Sequence, residues 1–129
     1  MTSPADRSYI KDHDWVQVGA DGLATFGITD YAQDSLGDVV FVELPEPGSE
    51  VSQSESFGEI ESVKAVSDLI APVSGTVAER NEAVVDAPEL VNDSPYDEGW
   101  LLKVEMADPS EVDDLMSAEE YDSFLASES

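Results

Sequence analysis

The fold is decided by the stretch GEIESVKAVSD, residues 58–68, which places one lysine between two strand-like segments. Before the lysine, apolar or small side chains alternate with acidic ones, and a period of two is typical of a β-strand. After it, residues 69–73 form a mostly apolar run that is followed by a serine and a glycine. We therefore predict a β-hairpin over residues 58–73, with Lys64 at its tip and its four-carbon side chain in water.

An exposed lysine usually does no more than keep a protein surface soluble. This chain has only three lysines, Lys11, Lys64 and Lys103, and 30 acidic residues against 5 basic ones. Because the chain has so few lysines, the presence of one between Glu61 and Asp68 indicates that its amine is needed. We interpret Lys64 as a site where a modifying enzyme attaches an acyl arm.

The composition predicts an acidic, folded domain. The chain has 129 residues, 41% of them hydrophobic, and a net charge of −25 at pH 7. This length predicts a single domain, residues 1–129, with one hydrophobic core. The acidity argues against nucleic acid or an anionic membrane as partners, since both need basic surfaces. Many acidic residues with few lysines are typical of proteins that fold in molar salt, where charge repulsion is screened, so we expect a halophilic protein.

Several classes of protein are excluded or disfavoured. The chain has no cysteine, and its single histidine, His13, cannot form a histidine-based metal cluster. Motifs for a nucleophilic serine, a phosphate-binding loop and a dinucleotide fold are missing. No apolar run approaches the ~20 residues that span a bilayer, and the N-terminal residues lack a secretory signal. We therefore expect a cytoplasmic carrier, not an enzyme, and no metal site.

Other strands are predicted where apolar residues alternate or run continuously between turn residues. They cover four longer segments: 9–18, 23–28, 38–44 and 100–106. The third is apolar on both faces over most of its length, so we expect it in the centre of a sheet. Many short strands, with turns rich in glycine and proline, predict a mainly β fold, either a sandwich or a flattened barrel. Gly58 and Gly75 are predicted to form tight bends, and Trp15 and Trp100 to pack internally.

Helices are predicted at two places in the chain. Thr29 caps a short internal helix, which ends at Gly37 in a left-handed conformation. A C-terminal helical segment covers about residues 109–126, where apolar residues recur at helical spacing and Ser117 begins a capping box. Residues 81–93 are predicted to be mostly loop.

Five stretches of the chain carry a resemblance to a known family. They are GITDYAQ at 27–33, LGDVVFVELP at 36–45, ESVKA at 61–65, PVSG at 72–75 and NDSPYDEGWL at 92–101. In this order and at this spacing they closely resemble the H-protein of the glycine cleavage system, over a match that runs from about Tyr9 to the C-terminal helix. The resemblance implies the barrel-sandwich hybrid fold of lipoyl and biotinyl domains, with additional N- and C-terminal elements.

The resemblance also implies a function. The chain would be a lipoyl carrier, with lipoate linked as an amide to the ε-amine of Lys64. It would take the aminomethyl group from the P-protein, a pyridoxal-phosphate glycine decarboxylase, to the T-protein, an aminomethyltransferase that uses a tetrahydropterin. The L-protein, dihydrolipoamide dehydrogenase, would reoxidise the arm with NAD. A lipoate-attaching enzyme is a further implied partner, and we expect the carrier to be monomeric.

The same resemblance points to residues around the arm. In the family the loaded arm folds into a cleft on the carrier, and the matching positions here include Asp14 and Asp68, whose carboxylates could pair with a charged amine. The family pattern is His-Glu-Trp where this chain has His13, Asp14 and Trp15, so its carboxylate is on a shorter side chain. Glu61 is a candidate for recognition by the lipoate-attaching enzyme. An ordinary solvated role is the alternative for all three acidic residues.

Three other functions are alternatives to this one. Lipoyl domains that serve 2-oxo-acid dehydrogenases, or a lipoate relay, share the modified lysine but usually have an acidic residue directly before it, where this chain has Val63. Biotin carriers flank the lysine with methionines, in place of Val63 and Ala65. A cofactor-free acidic interaction protein is the alternative from a different class.

Overall fold

The computed structural model describes residues 4–19 and 21–128. In this part of the chain nine strands form two antiparallel sheets, so the mainly β prediction is confirmed. The strands are β1 Ser8–Tyr9, β2 Asp14–Val18, β3 Leu23–Ile28, β4 Val39–Glu43, β5 Glu50–Val51, β6 Ser56–Ser62, β7 Val66–Ile70, β8 Gly75–Arg80 and β9 Leu102–Met106. The helices are α1 Asp30–Leu36, α2 Glu82–Asp86, α3 Leu90–Asp93, a 3₁₀ helix Pro109–Asp114 and α4 Ala118–Glu128.

Both sheets contribute to the core. The larger sheet has the strand order β1-β2-β3-β9-β8-β5, and the smaller one β4-β6-β7. Side chains that alternate inward from both sheets form one apolar cluster, which includes Phe26 and Ile60. A second cluster, around Trp15 and Tyr121, packs α4 against β1 and β2, and Trp100 is partly buried beside it. The smaller sheet is therefore held by its inner face, while the β6–β7 turn extends beyond the core.

The segment 9–18 was predicted as one strand, but it is a hairpin. Tyr9 in β1 pairs with Trp15 in β2, and the turn between them holds His13 at a φ of 68°. The His13 N–H donates to the carbonyl of Ile10 at 3.0 Å, which closes the turn. A single left-handed residue can reverse the chain without a glycine or proline to reveal it.

β4 is an edge strand, whereas its apolar sequence predicted a central one. It pairs with β6 alone in the described sheet, and the register shifts between Val39 and Phe41. This bulge leaves Val40 and Phe41 both exposed, while Val42 is buried. The second apolar face of the strand therefore contacts solvent, and no other layer of the described chain covers it.

Residues 81–93 are mostly helical, and the prediction of a loop was wrong. The Asn81 side chain caps α2 by accepting from the Ala83 N–H at 3.2 Å. Val84 in α2 and Val91 in α3 are fully buried and fix both helices to the core. Helices of five and four residues are too short to show a periodic pattern in sequence.

The C-terminal segment 109–126 departs from the predicted helix in its middle. The 3₁₀ helix stops at Asp114, and Met116 then forms an isolated β-bridge with Tyr9 before α4 begins. The N–H groups of Tyr9 and Met116 each donate to the other's carbonyl, at 2.8 and 2.9 Å. This pairing extends the chain between the two helices.

The predicted helix caps are present. Thr29 Oγ1 accepts from the Ala32 N–H at 3.2 Å, and Ser117 forms reciprocal hydrogen bonds with Glu120. α1 ends at Gly37 with a φ of 80°, but its ψ of −157° lies outside the left-handed helical region. The expected glycine is thus required, in a more extended conformation than predicted.

Gly58 and Gly75 permit close approach between strands, and the prediction of tight bends was wrong. A Cβ at Gly58 would lie 2.2 Å from the carbonyl oxygen of Glu43, and one at Gly75 would lie 2.1 Å from that of Glu105. Real Cβ atoms do not approach backbone oxygens so closely, so these positions exclude every larger side chain.

Candidate functional site

Lys64 lies exposed in the turn between β6 and β7. The turn is closed by Ser62, whose N–H donates to the Ala65 carbonyl at 2.8 Å. The Ser62 Oγ accepts from the N–H groups of Lys64 at 3.3 Å and Ala65 at 3.2 Å. Next to the lysine, the Val63 N–H donates to the carbonyl of Asp38 at 3.0 Å. The backbone of the tip is therefore fixed, and only the side chain of Lys64 is free to change conformation.

Asn92 fixes the segment on which the tip rests. Its Oδ1 accepts from the Val39 N–H at 2.8 Å, and its Nδ2 donates to the carbonyl of Gly37 at 2.9 Å. These two bonds lie on either side of Asp38, the residue that holds the tip. The Lys64 stem passes close to Gly37, since a Cβ there would lie 3.5 Å from the lysine Cε. Sequence reasoning did not assign Asn92 a role, although it begins one of the family-like stretches.

A cleft of about 180 Å³ lies between α1, the start of β2 and the β6–β7 hairpin. The side chains that matter for its chemistry combine apolar, aromatic and acidic groups: His13, Asp14, Tyr31, Leu36, Ile60 and Asp68. The structure thus brings together Asp14 and Asp68, which are distant in sequence. A cleft with apolar walls and a carboxyl group at its base suits a ligand with an apolar body and a cationic end.

Asp14 is the buried acidic residue of this cleft, with 4% of its surface exposed. Its Oδ2 accepts from the Ile70 N–H at 3.0 Å, which links β2 to β7. Burial raises the pKa of Asp14 well above its ordinary value, the Ile70 N–H opposes this, and the charge of Asp12 adds to it. The alternative of a solvated surface position is therefore wrong for Asp14.

Asp68 lies at the rim of the cleft. It pairs with Glu59 in register and follows Ser67, which pairs with the buried Ile60. Alternation along β7 turns Ser67 toward the inner face and Asp68 toward the outer face, and both are exposed where they border the cleft. The cleft therefore contains a hydroxyl group, Ser67, that sequence reasoning did not single out.

Glu61 lies outside the cleft, on the outer face of the smaller sheet. In register it is flanked by Phe41 in β4 and Val66 in β7. It alternates with Ile60 and Ser62, which are buried, as the sequence pattern predicted. Its partly exposed carboxylate is therefore accessible from the same side as two apolar residues.

The wall of the cleft formed by His13 is tied to α4. The His13 Nδ1 and the Tyr121 hydroxyl are 2.8 Å apart, and the same hydroxyl lies 2.8 Å from Thr29 Oγ1. The His13 ring also packs against Tyr31, with ring centroids 4.6 Å apart. Thr29, predicted only as a helix cap, thus also joins α1 to the C-terminal helix.

Residues 4–19 and 21–128 lack two kinds of feature. No group of three histidine or acidic side chains there is placed to hold a metal ion. None of the helices in the same residues has both the length and the apolar character to cross a bilayer.

Known proteins are similar to this chain along almost its whole length. A family model described as the glycine cleavage H-protein matches residues 7–128. The glycine cleavage system H protein of Geobacillus kaustophilus is 54% identical over 125 residues, which are 97% of this chain and 98% of that protein. The one from Staphylococcus carnosus is 54% identical over 121 residues, which are 94% of this chain and 95% of that protein.

The fold is similar to a solved structure as well. The crystal structure of a glycine cleavage system H protein from Mycobacterium marinum matches with a TM-score of 0.89 at 46% identity, over 95% of this chain and 98% of that one. The expected barrel-sandwich hybrid fold, with its C-terminal helix, is thereby confirmed. From the family match and the identity to full-length relatives, the chain belongs to the glycine cleavage H-protein family.

Proposed function

We propose that this chain is the lipoyl-bearing shuttle of the glycine cleavage system, and that Lys64 carries the lipoate. The observation that carries the proposal is the position of Lys64, an exposed amine on a braced turn next to a cleft with a buried carboxyl group. The shuttle is a carrier subunit and not an enzyme. It takes the aminomethyl group from the P-protein to the T-protein, and electrons to the L-protein, dihydrolipoamide dehydrogenase.

Lys64 fits lipoate attachment because its side chain is exposed while its backbone is held. Bound lipoate supplies a disulfide that accepts the aminomethyl group and two electrons. Ser62 and Asp38 keep the attachment point rigid, so that the end of the arm moves within a small volume. Each partner's active site then meets it at a high effective concentration.

Asp14 and Asp68 are proposed to hold the charged amine of the loaded arm in the cleft. Asp14 lies where little water can screen a carboxylate–ammonium pair, so the attraction is stronger than at the surface. Burial raises the pKa of Asp14, and an ammonium group beside it would oppose that shift and stabilise the ionised carboxylate. Asp68, at the rim, meets the amine first. Tyr31 and Leu36 shield the arm from water.

Glu61 is proposed as a residue that the lipoate-attaching enzyme recognises. Its carboxylate lies on the outer face of the smaller sheet, three residues before Lys64. An enzyme that approaches the lysine from this side can place a basic group against it. The cleft on the other side stays available for the arm.

We further propose that residues 1–129 act as one domain, a monomer in the cytoplasm of a halophile, without nucleic acid or membrane as partners. The net charge of −25 supports this, because such self-repulsion is screened only in concentrated salt. Thermal unfolding followed by circular dichroism should shift to markedly lower temperature when KCl falls from about 2 M to about 0.02 M, because the Debye length grows about tenfold. An unchanged transition would contradict the halophilic assignment.

The lysine substitutions K11R, K64R and K103R test the shuttle function. Each variant is incubated with lipoate, ATP and the lipoate-attaching enzyme, and then with glycine and the reconstituted P-, T- and L-proteins. Intact mass should show a lipoyl adduct on K11R and K103R and none on K64R, and K64R alone should fail to support glycine breakdown. Acylation of K64R, or glycine breakdown that depends on it, would overturn the assignment.

A further inference from the structure

The exposed apolar side chains of this protein are concentrated beside Lys64. In residues 4–19 and 21–128, five large hydrophobic residues are strongly exposed, and four of them surround the β6–β7 turn. We call these four the outer patch: Val40 (54% exposed), Phe41 (45%), Val63 (70%) and Val66 (58%). The fifth, Val18, is 45% exposed and belongs to the other sheet. On a chain with a net charge of −25, such a concentration calls for an explanation.

Strand register aligns the patch into one surface. Phe41 pairs with Glu61, and Glu61 pairs with Val66, so the three form a row across the outer face of the smaller sheet. The β-bulge in β4 leaves Val40 exposed next to Phe41, where regular alternation would turn one of them inward. Val63 extends the row to the tip itself.

The next row of the sheet is acidic. Glu43 pairs with Glu59, and Glu59 pairs with Asp68. With Glu61 inside the apolar row, the surface next to Lys64 combines exposed hydrophobic groups with carboxylates. A partner that fits it has an apolar contact surface with a basic border.

We propose that the outer patch is the docking surface for the enzyme that acylates Lys64. The inference rests on the proposed attachment of lipoate to this lysine. A lysine side chain extends only about 6 Å from its Cα, so its amine reaches a buried reaction centre only if the enzyme closes around the turn. A specific interface covers roughly 800 Å² on each partner, which necessarily includes side chains adjacent to the turn.

Apart from Asp68 at the rim of the cleft, the two faces of the smaller sheet separate the two tasks. Inward side chains, such as Ile60 and Ser67, belong to the cleft proposed for the loaded arm, whereas Phe41 and Val66 lie on the opposite face. Enzymes that act on the loaded arm meet its far end, beyond the length of the lysine itself, and do not need to enclose the turn as tightly. The acylating enzyme is therefore the partner that the outer patch fits best.

The double variant F41T/V66T tests the proposal, with V18T as the matched control. Threonine retains strand propensity, and all three positions are exposed, so the fold is preserved and is checked by circular dichroism. The assay uses apo-protein, lipoyl adenylate and the acylating enzyme, in which the Lys64 amine displaces AMP and releases one proton. We expect KM for the double variant to rise about tenfold with kcat unchanged, and V18T to match the wild type.

A second assay identifies the occupant of the patch. The double variant is acylated to completion with excess enzyme and then supplied to the P-, T- and L-proteins, where we expect a wild-type rate of glycine breakdown. An acylation KM equal to that of V18T would overturn the proposal, as would a slowed cleavage reaction with normal acylation. If the wild-type chain is not acylated at Lys64, both the proposed function and the docking surface are wrong. If Lys64 is acylated with the same KM in F41T/V66T and V18T, only the docking surface is wrong.

Discussion

Replacing Asp14 by asparagine tests the electrostatics of the cleft. The substitution removes the ionisable group but keeps an oxygen that can accept from the Ile70 N–H. In the unfolded chain an aspartate ionises near pH 4, about its ordinary pKa. Burial raises the pKa of Asp14 in the folded protein, so the folded state binds its proton more tightly than the unfolded state does. The free energy of unfolding therefore falls as pH rises between these two pKa values.

The magnitude of this pH dependence follows from the binding of one proton by Asp14. In that pH interval Asp14 lowers the wild-type free energy of unfolding by about 1.4 kcal/mol per pH unit, and the loss becomes constant above the folded pKa. D14N has no such loss. We expect the two proteins to differ little at about pH 4 and D14N to become progressively more stable than the wild type towards neutral pH.

The assay is urea unfolding of both proteins at a series of pH values and one high KCl concentration. The difference between the two free energies cancels the contributions of the other acidic residues. D68N is the matched control, since it removes an exposed carboxylate at the rim of the same cleft. A difference between wild type and D14N that is constant with pH, or that favours the wild type as pH rises, would refute the reasoning.

Three further substitutions test the supports of the site, each by urea unfolding. N92A removes the hydrogen bonds to Val39 and Gly37 and should lower the free energy of unfolding by about 2–3 kcal/mol. Amide hydrogen exchange at the lysine turn should become faster. Unchanged exchange would contradict the role of Asn92 as a brace. G58A places a Cβ 2.2 Å from a carbonyl oxygen of β4 and should cost about 3 kcal/mol, so a stability equal to wild type would show that β4 can move away. S117A removes one half of a capping box and should cost about 1 kcal/mol, which S117T should restore; equal losses in both would show that the cap is not responsible.

The elements predicted correctly are those whose signal is local. The alternation around Ile60 and Ser62 defines the buried face of β6, and a single lysine between two strand-like runs marks the turn. The caps at Thr29 and Ser117 depend on a side chain and a backbone within three residues. Each of these could be deduced without knowledge of the rest of the chain.

The elements predicted wrongly depend on what packs against them. The apolar faces of β4 do not reveal whether Val40 and Phe41 contact a second layer, a partner protein or water, so the sequence predicts a central strand where the structure has an edge strand. The reversal at His13 carries neither glycine nor proline. Residues 81–93 become helical because Val84 and Val91 fit the core, which is a tertiary effect.

The site was predictable in part for the same reason. Lys64 stands out by composition and by its place in a turn. The burial of Asp14 was not predictable, because an aspartate between charged and aromatic neighbours resembles a surface residue until β7 covers it. Asn92 was missed because it acts on backbone groups, whose positions a sequence does not record.

The cross-bracing of the turn by Ser62 also has a consequence for quality control of the protein. The N–H groups of Lys64 and Ala65 share one hydroxyl oxygen, and Val63 is hydrogen-bonded to Asp38, the residue that precedes β4. A misfolded or newly synthesised chain has the same amino-acid sequence around Lys64 but lacks this turn conformation. An enzyme that recognises this conformation acylates only folded molecules, so the presence of the prosthetic group then reports that the chain has reached its native structure.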